Sequence, residues 1–264
     1  MLAIEAKNVV VEYVQKRKKS RLVALWNFNI EIPEREFLVI VGPSGCGKTS
    51  FINAVAGLVP IASGKLKLYD NEINGPSTDT SMVFQEYALL PWRTVWDNVK
   101  FGLEVQHKLN SHDDEKIQGL ISLVGLDGFE RAFPHELSGG MRQRVGLARA
   151  LATDPKVMLM DEPFAAVDAM TRELMQEELV KIMNTAAKTV IFITHSIDEA
   201  IIMGDRIVVM TAAPGRVKEI LVNDLPKPRT EDDVKLLPRY AEMREHIWRL
   251  LRGEAQSVLK GVEE

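Results

Sequence analysis

Apolar and polar positions follow two different periods along this chain. In the first third, short apolar runs bounded by turn residues predict strands at Lys7–Glu12, Ala24–Ile32, Phe37–Val41 and Lys65–Tyr69. One helix, Lys48–Gly57, is predicted among them, and Ser81–Phe84 reads as a further strand. From about Thr94 to Leu151 the pattern becomes helical: Val95, Val99 and Leu103 fall at i, i+4 and i+8, on one helix face. Strand and helix then take turns. Val157–Met160, Thr189–Thr194 and Arg206–Met210 are predicted strands, separated by helices Met170–Ala186 and Ser196–Met203. That alternation implies a parallel sheet with crossover helices. Leu225-Pro226-Lys227-Pro228 breaks the pattern. Beyond it, Tyr240, Met243, Ile247 and Leu250 mark an amphipathic terminal helix. A helical insert thus divides a mixed α/β body, and a helical tail follows.

Composition narrows the function classes. The chain has 264 residues, is 46% apolar and carries a formal net charge of −4, so general disorder is excluded. The slight acidity argues against bulk nucleic-acid binding. No apolar run approaches the length of about 18 residues needed for a spanning helix. The N-terminal MLAIEAKNVVVEY lacks the order of a secretory signal. A single cysteine, Cys46, excludes a disulfide framework.

The chemistry begins at Gly42-Pro43-Ser44-Gly45-Cys46-Gly47-Lys48-Thr49, which matches the phosphate-binding pattern G-x-x-x-x-G-K-[ST]. A buried-type strand precedes it and a helix follows, as the motif requires. Glycines let backbone N–H groups turn inward, and the helix N-terminus completes an anion cradle. Lys48 adds a full charge for the β- and γ-phosphates, and Thr49 offers a hydroxyl to Mg²⁺. Cys46 lies inside the loop, where a small side chain fits. Alkylating it is expected to block nucleotide entry.

A second group of chemistry-bearing residues stands at strand ends, where open α/β sheets bind ligands. Val157–Met160 delivers Asp161 and Glu162. Asp161 suits Mg²⁺ through its water shell, and Glu162 can polarise a water in line with a γ-phosphate. His195 follows the strand Thr189–Thr194, and Gln85 follows Ser81–Phe84.

Leu137-Ser138-Gly139-Gly140-Met141, continued by Arg142-Gln-Arg-Val-Gly-Leu-Ala-Arg-Ala-Leu151, adds a second anion site at the start of a long helix. With the phosphate loop and the acid pair, this run resembles the ATPase subunits of ABC transporters, over roughly Ala3 to Leu225. The resemblance implies an α/β fold: a P-loop NTPase (RecA-like) core with an antiparallel β subdomain and an inserted α-helical subdomain. It implies an ATPase domain over 1–225, with the helical subdomain at about 87–152, and a helical tail over 226–264. Tyr13 would stack on adenine. Gly42 to Ser50, including Pro43, Ser44 and Gly45, would hold ATP, with Lys48 on its phosphates. Gln85 would open the Q-loop, and Thr49, Gln85 and Asp161 would hold Mg²⁺. Glu162 would be the catalytic base and His195 the switch histidine. Asp168, in Ala165-Ala166-Val167-Asp168, matches the D-loop. Ser138, Gly139 and Gly140 would act in trans, on ATP held by a second ATPase subunit, either a copy or a close paralogue. Met141 departs from the Gln found in many members.

Three further stretches look like the nitrate/sulfonate/taurine/bicarbonate importer branch: Gln85 to Val99 with Trp92 and Trp96, Met210 to Arg216, and the tail Tyr240–Arg252. That branch implies a multi-span permease, a substrate-binding protein and a place on the cytoplasmic face of the inner membrane. Tyr87, Leu89, Leu90 and Trp92 are candidates for the permease groove, although packing is the commoner fate of aromatics. The basic run Lys16-Arg17-Lys18-Lys19, with Arg21, reads as a solvated hairpin tip, with contact to anionic lipid headgroups as the alternative. An ABC-type ATPase without a transport role is the alternative.

Overall fold

The computed structural model describes residues 1–15, 20–84, 88–107, 113–165, 167, 169–229 and 232–260. In chain order it has β1 (Leu2–Gln15), β2 (Ser20–Pro33), β3 (Phe37–Val41), α1 (Lys48–Val55), β4 (Ser63–Leu68), β5 (Asn71–Glu72) and β6 (Thr80–Val83). Next come α2 (Val95–Val105), α3 (Asp113–Leu123), α4 (Gly139–Ala152), β7 (Val157–Asp161), α5 (Ala169–Ala186), β8 (Thr189–Ile193) and α6 (Ile197–Met203). The chain ends with β9 (Arg206–Met210), β10 (Val217–Val222), α7 (Asp232–Lys235) and α8 (Pro238–Lys260). The described residues form two compact units: 1–77 with 189–264, and 78–188.

In the first unit, β1 pairs antiparallel with both β2 and β4, in a sheet ordered β2-β1-β4-β5. Pairing on both sides explains why β1 runs past its apolar stretch in each direction. The second set of strands is parallel. β3 lies between β8 and β9, with Ile40 opposite Ile193 on one side and Val208 on the other. All five residues of β3 are buried, and so are all five of β8. A strand covered on both faces reads as a continuous apolar run, which is why these two were legible. β10 was not anticipated. It pairs antiparallel with β9, and its residues alternate between half-buried and exposed. Such an edge strand has no strong apolar signal, and Lys218 and Glu219 interrupt what there is.

Two contacts in this unit position the chemistry. Phe28 of β2 lies against Phe51 of α1, with ring centroids 4.5 Å apart, so the antiparallel sheet backs the helix after the phosphate loop. The terminal helix α8 buries Tyr240, Met243 and Ile247 and packs against α6 and β9. Tyr240 donates its hydroxyl hydrogen to Asp198 of α6 at 2.8 Å.

In the second unit, β6 runs parallel to β7, with Val83 opposite Met160. Helices α2, α3 and α4 share a core in which the predicted stripe of Val95, Val99 and Leu103 meets Ile117, Ile121 and Val145. Thr94 caps α2 by accepting from Asp97 N. Asn98, fully buried, donates to the carbonyls of Leu90, Arg93 and Thr94 and accepts from Leu90 N, which fixes the approach to the helix. Among the described residues no helix is long and apolar enough to cross a membrane.

Candidate functional site

β3 ends at Val41 and α1 begins at Lys48, so the phosphate loop spans the strand-to-helix turn of the first unit. Gly47 is the N-cap of α1 at φ 100°, a left-handed conformation that a side chain would strain. A Cβ there would also lie 2.6 Å from the carbonyl oxygen of Ala24. Having no side chain, Gly47 gives α1 no side-chain cap, which suits a helix start that takes an external acceptor, although the Lys48 backbone N–H reaches the Cys46 sulfur. Lys48 is 5% exposed, and its ammonium donates to the carbonyls of Gly42 (2.8 Å) and Pro43 (3.0 Å). Among the described residues the hydrogen bonds of this buried cation go to neutral carbonyls, and phosphate oxygens would offer it charge as well as hydrogen bonds. Thr49, next in the chain, is exposed.

Cys46 is 1% exposed, and its sulfur fills the space where a Cβ on Gly42 would come within 2.8 Å. Burial pushes its thiol up, against the lowering influence of Lys48. Burial bears on how readily Cys46 is alkylated, not on what the alkylated loop would bind. The side chain packs under the loop as a protonated thiol, so reagents meet neither an accessible sulfur nor a thiolate.

Tyr13 of β1 is half-buried and donates to the hydroxyl of Ser50 in α1 at 3.2 Å. The antiparallel sheet thereby brings an aromatic ring to the helix that follows the phosphate loop. His195 is exposed and leaves the sheet at the same edge, because Thr194 N donates to Ile40 O (3.2 Å) one residue earlier. Its backbone is bracketed. Thr194, 3% exposed, donates its hydroxyl hydrogen to Glu199 and accepts from Ser196 N at 3.0 Å. Ser196 caps α6 by accepting from Glu199 N at 3.2 Å. The Ser–x–x–Glu spacing of Ser196 and Glu199 is a helix-start signal that would have located this bracket.

The second unit carries the acid pair and the Ser-Gly-Gly start. β7 is buried over all five residues and ends at Asp161, which is 6% exposed. Glu162 follows at φ 47°, an uncommon conformation for a residue with a side chain. Strain of this kind persists only where the surroundings enforce it, and it gathers at working sites. At the head of α4, Ser138 is the exposed N-cap and its hydroxyl accepts from Met141 N at 3.2 Å. Arg142 donates to the carbonyl of Leu137 at 2.5 Å, tying the first turn to the residue before the cap. Met141 packs against the helical core, which accounts for an apolar residue where a Gln is common. Leu89 and Trp96 pack against that same core, whereas Trp92 is 72% exposed.

Gln85, Tyr87, Asp168 and the basic run 16–19 lie outside the described residues. Among the described residues no cluster of three or more His, Cys, Asp or Glu is assembled. The candidate metal donors Thr49, in the first unit, and Asp161, in the second, are each hard oxygen groups of the kind that suits Mg²⁺.

The sequence reading missed Gly215. Its N–H donates to Ala24 O at 2.9 Å, and its carbonyl accepts from Trp26 N at 3.0 Å. A Cβ on Gly215 would lie 1.9 Å from Cys46 O, so this backbone touches the floor of the phosphate loop. The Pro214-Gly215 pair was a turn signal, but nothing local said what the turn leans on.

Known proteins settle the class. Residues 25–165 match the family described as ABC transporter. An ABC transporter ATP-binding protein of Methanocaldococcus jannaschii, itself uncharacterised, is 49% identical over 91% of this chain and 89% of its own length. The taurine import ATP-binding protein of Rhizobium johnstonii is 47% identical over 87% of this chain and 89% of its own. The aliphatic sulfonates import ATP-binding protein of Bacillus cereus is 41% identical over 84% and 87%. An ATP-binding cassette solved as a dimer in a post-hydrolysis state with ADP and phosphate superposes with a TM-score of 0.73. It is 31% identical and covers 83% of this chain and 98% of its own. The chain therefore belongs to the ABC transporter family, as an ATP-binding ATPase subunit. Within that family it falls in the importer branch.

Proposed function

We propose that this chain forms one half of a closing ATPase pair that powers a separate multi-span permease in the inner membrane, from its cytoplasmic face. Two copies, or this chain and a close paralogue, would clamp two ATP·Mg²⁺ head to tail. The cargo would be a small anion such as a sulfonate, taurine or nitrate, delivered by a substrate-binding protein. Its basis among the relatives is the pair of sulfonate-type importer ATPases, at 47% and 41% identity.

One observation carries the reading. The chain holds a single phosphate loop, and its single Ser-Gly-Gly start presents Ser138 exposed at the head of α4. Each of these anion sites is half of what phosphoryl transfer needs. In this mechanism Lys48 and the N–H groups of α1 bind and orient the β- and γ-phosphates. Tyr13 takes the adenine. Thr49, Asp161 and Gln85 would hold Mg²⁺, which when bound would supply positive charge to the phosphate oxygens. Glu162 orients a water for in-line attack and accepts its proton. His195 contacts the γ-phosphate from the edge of β8. Ser138, Gly139 and Gly140 of the second subunit donate to the same phosphate, with Asp168 at the contact between subunits. Leu89, Leu90, Trp92 and Tyr87 offer the permease a docking surface, of which Trp92 is the most exposed described member.

Glu162→Gln tests the assignment. ATP binding is expected to persist while turnover falls about 10²- to 10⁴-fold, and the ATP-bound protein should elute as a dimer. Substantial residual hydrolysis would show that another group activates the water. A multi-span protein that co-purifies from detergent-solubilised membranes would carry the transport part. An active soluble dimer with no such companion would favour an ATPase without a transport role.

A further inference from the structure

We propose that Glu254, on the terminal helix α8, is a positioning residue for the phosphate loop: it holds the turn 211–216 on which that loop rests. The proposal builds on the ATP-binding reading of Gly42–Thr49 and gives the C-terminal tail a part in it.

The connection consists of backbone and short side-chain bonds. One carboxylate oxygen of Glu254 accepts from Ala212 N at 2.8 Å, and the other accepts from the Lys218 ammonium at 2.6 Å. Lys218 also donates to Leu250 O at 3.0 Å, one helical turn before Glu254, so α8 grips β10 and the turn together. The turn is closed on itself. Thr211 N donates to Arg216 O, and Arg216 N donates to the Thr211 hydroxyl, each at 3.0 Å. A body held this way moves as a unit, and its far side is Gly215.

Gly215 is bonded in both directions to β2 and leaves no room for a Cβ against Cys46 O. Met210, at the near end of the turn, approaches the other end of the phosphate loop: a Cβ on Gly42 would lie 3.1 Å from Met210 Cβ. Residues 42–47 are therefore wedged between Ala24–Leu25 and the segment 210–215. Displacing that segment moves the N–H groups that would meet phosphate.

The electrostatics agree. Partial burial raises the Glu254 carboxyl, but Lys218 and the Ala212 N–H outweigh it and hold the group below its ordinary value. The Glu254 charge also reaches the Cys46 thiol, where it adds slightly to the rise caused by burial. The Glu254 carboxylate bonds to Ala212 N and the Lys218 ammonium place its hold on the turn, through which it acts on the loop.

The test uses the full chain. Glu254→Ala is expected to raise KM for ATP about 3- to 10-fold, the loss of two charge-assisted bonds, with kcat within about two-fold. Amide exchange over 42–49 and 211–216 should quicken in the nucleotide-free protein. Glu254→Gln keeps an acceptor for Ala212 N and should restore most of the wild-type KM. Arg239→Ala removes another bond of α8, the exposed pair with Asp224 at 2.9 Å, and should change neither KM nor exchange over 42–49. If Glu254→Ala is too unstable to assay, Lys218→Met should give the same split at smaller size. A fall in thermal stability with unchanged KM and unchanged exchange over 42–49 would overturn the proposal, as would an equal rise in KM for Arg239→Ala. If the wild-type chain fails to use ATP, the functional reading falls, and the exchange comparison still decides this one.

Discussion

The two anion sites of this chain are built in opposite ways. The phosphate loop is enclosed. Its lysine is 5% exposed, Gly47 sits against the carbonyl of Ala24, and Gly215 sits against Cys46. The Ser-Gly-Gly start is open. Ser138 is exposed, its hydroxyl accepts from Met141 N, and a Cβ on Gly140 would meet side-chain atoms at ordinary contact, Thr171 Cγ2 at 3.4 Å and Met175 Sδ at 3.8 Å. The first site is shaped by its own chain to hold a ligand. The second is shaped to be presented. That contrast suits the head-to-tail pair proposed above, in which the ligand of the second site would arrive on another subunit.

The sharpest way to break this comparison is to place the same methyl group in each site. Gly47→Ala puts alanine into a left-handed conformation, which costs about 1–2 kcal/mol before any clash, and drives Cβ into backbone. ATP binding should be lost, and the melting temperature should fall by at least about 4 °C. Gly140→Ala should leave melting unchanged or slightly raised, because alanine favours helix over glycine by about 1 kcal/mol. ATP binding should survive while hydrolysis is lost. Equal destabilisation by the two changes, followed by calorimetry, would remove the distinction between enclosed and presented sites.

Ser138→Ala comes next in size. Loss of the cap costs about 1 kcal/mol, so melting should drop by about 2–4 °C. Nucleotide affinity of the isolated subunit, measured by fluorescence titration, should not change, whereas turnover should fall more than about 10-fold. A parallel loss of affinity would mean that Ser138 serves the ATP of its own chain.

The smallest effect concerns Cys46. Its folded thiol is raised by burial, so the folded state holds the proton more tightly than the unfolded state does. Its contribution to stability is complete below the ordinary thiol value, about 8.5, and is lost as pH climbs through the raised folded value. Iodoacetamide at neutral pH should leave the native chain unmodified and label it rapidly in urea. Fast native labelling would show that the loop opens far more readily than its contacts imply.

How legible the molecule was varied with how local the physics is. β3 and β8 were read at full length because strands buried on both faces must be apolar throughout. The α2 stripe was read because 3.6-residue spacing survives packing. The phosphate loop was read from glycine and lysine at a fixed spacing, the acid pair from its place at a strand end after that loop, and the Ser-Gly-Gly start from its resemblance to a family signature. β10 escaped, since an edge strand between a turn and the sheet rim needs no apolar pattern.

By itself the sequence determined the family and the class of element that carries each motif, because motifs and periodicity depend on neighbours within a few residues. The tertiary structure alone decided the rest. It placed Tyr13 on Ser50, buried Cys46, put Glu162 in a left-handed conformation and set Gly215 and Glu254 behind the phosphate loop. Each of these joins residues far apart in the chain or follows from how the chain packs around them. No local pattern records such partners, because they are chosen by the space the rest of the fold leaves.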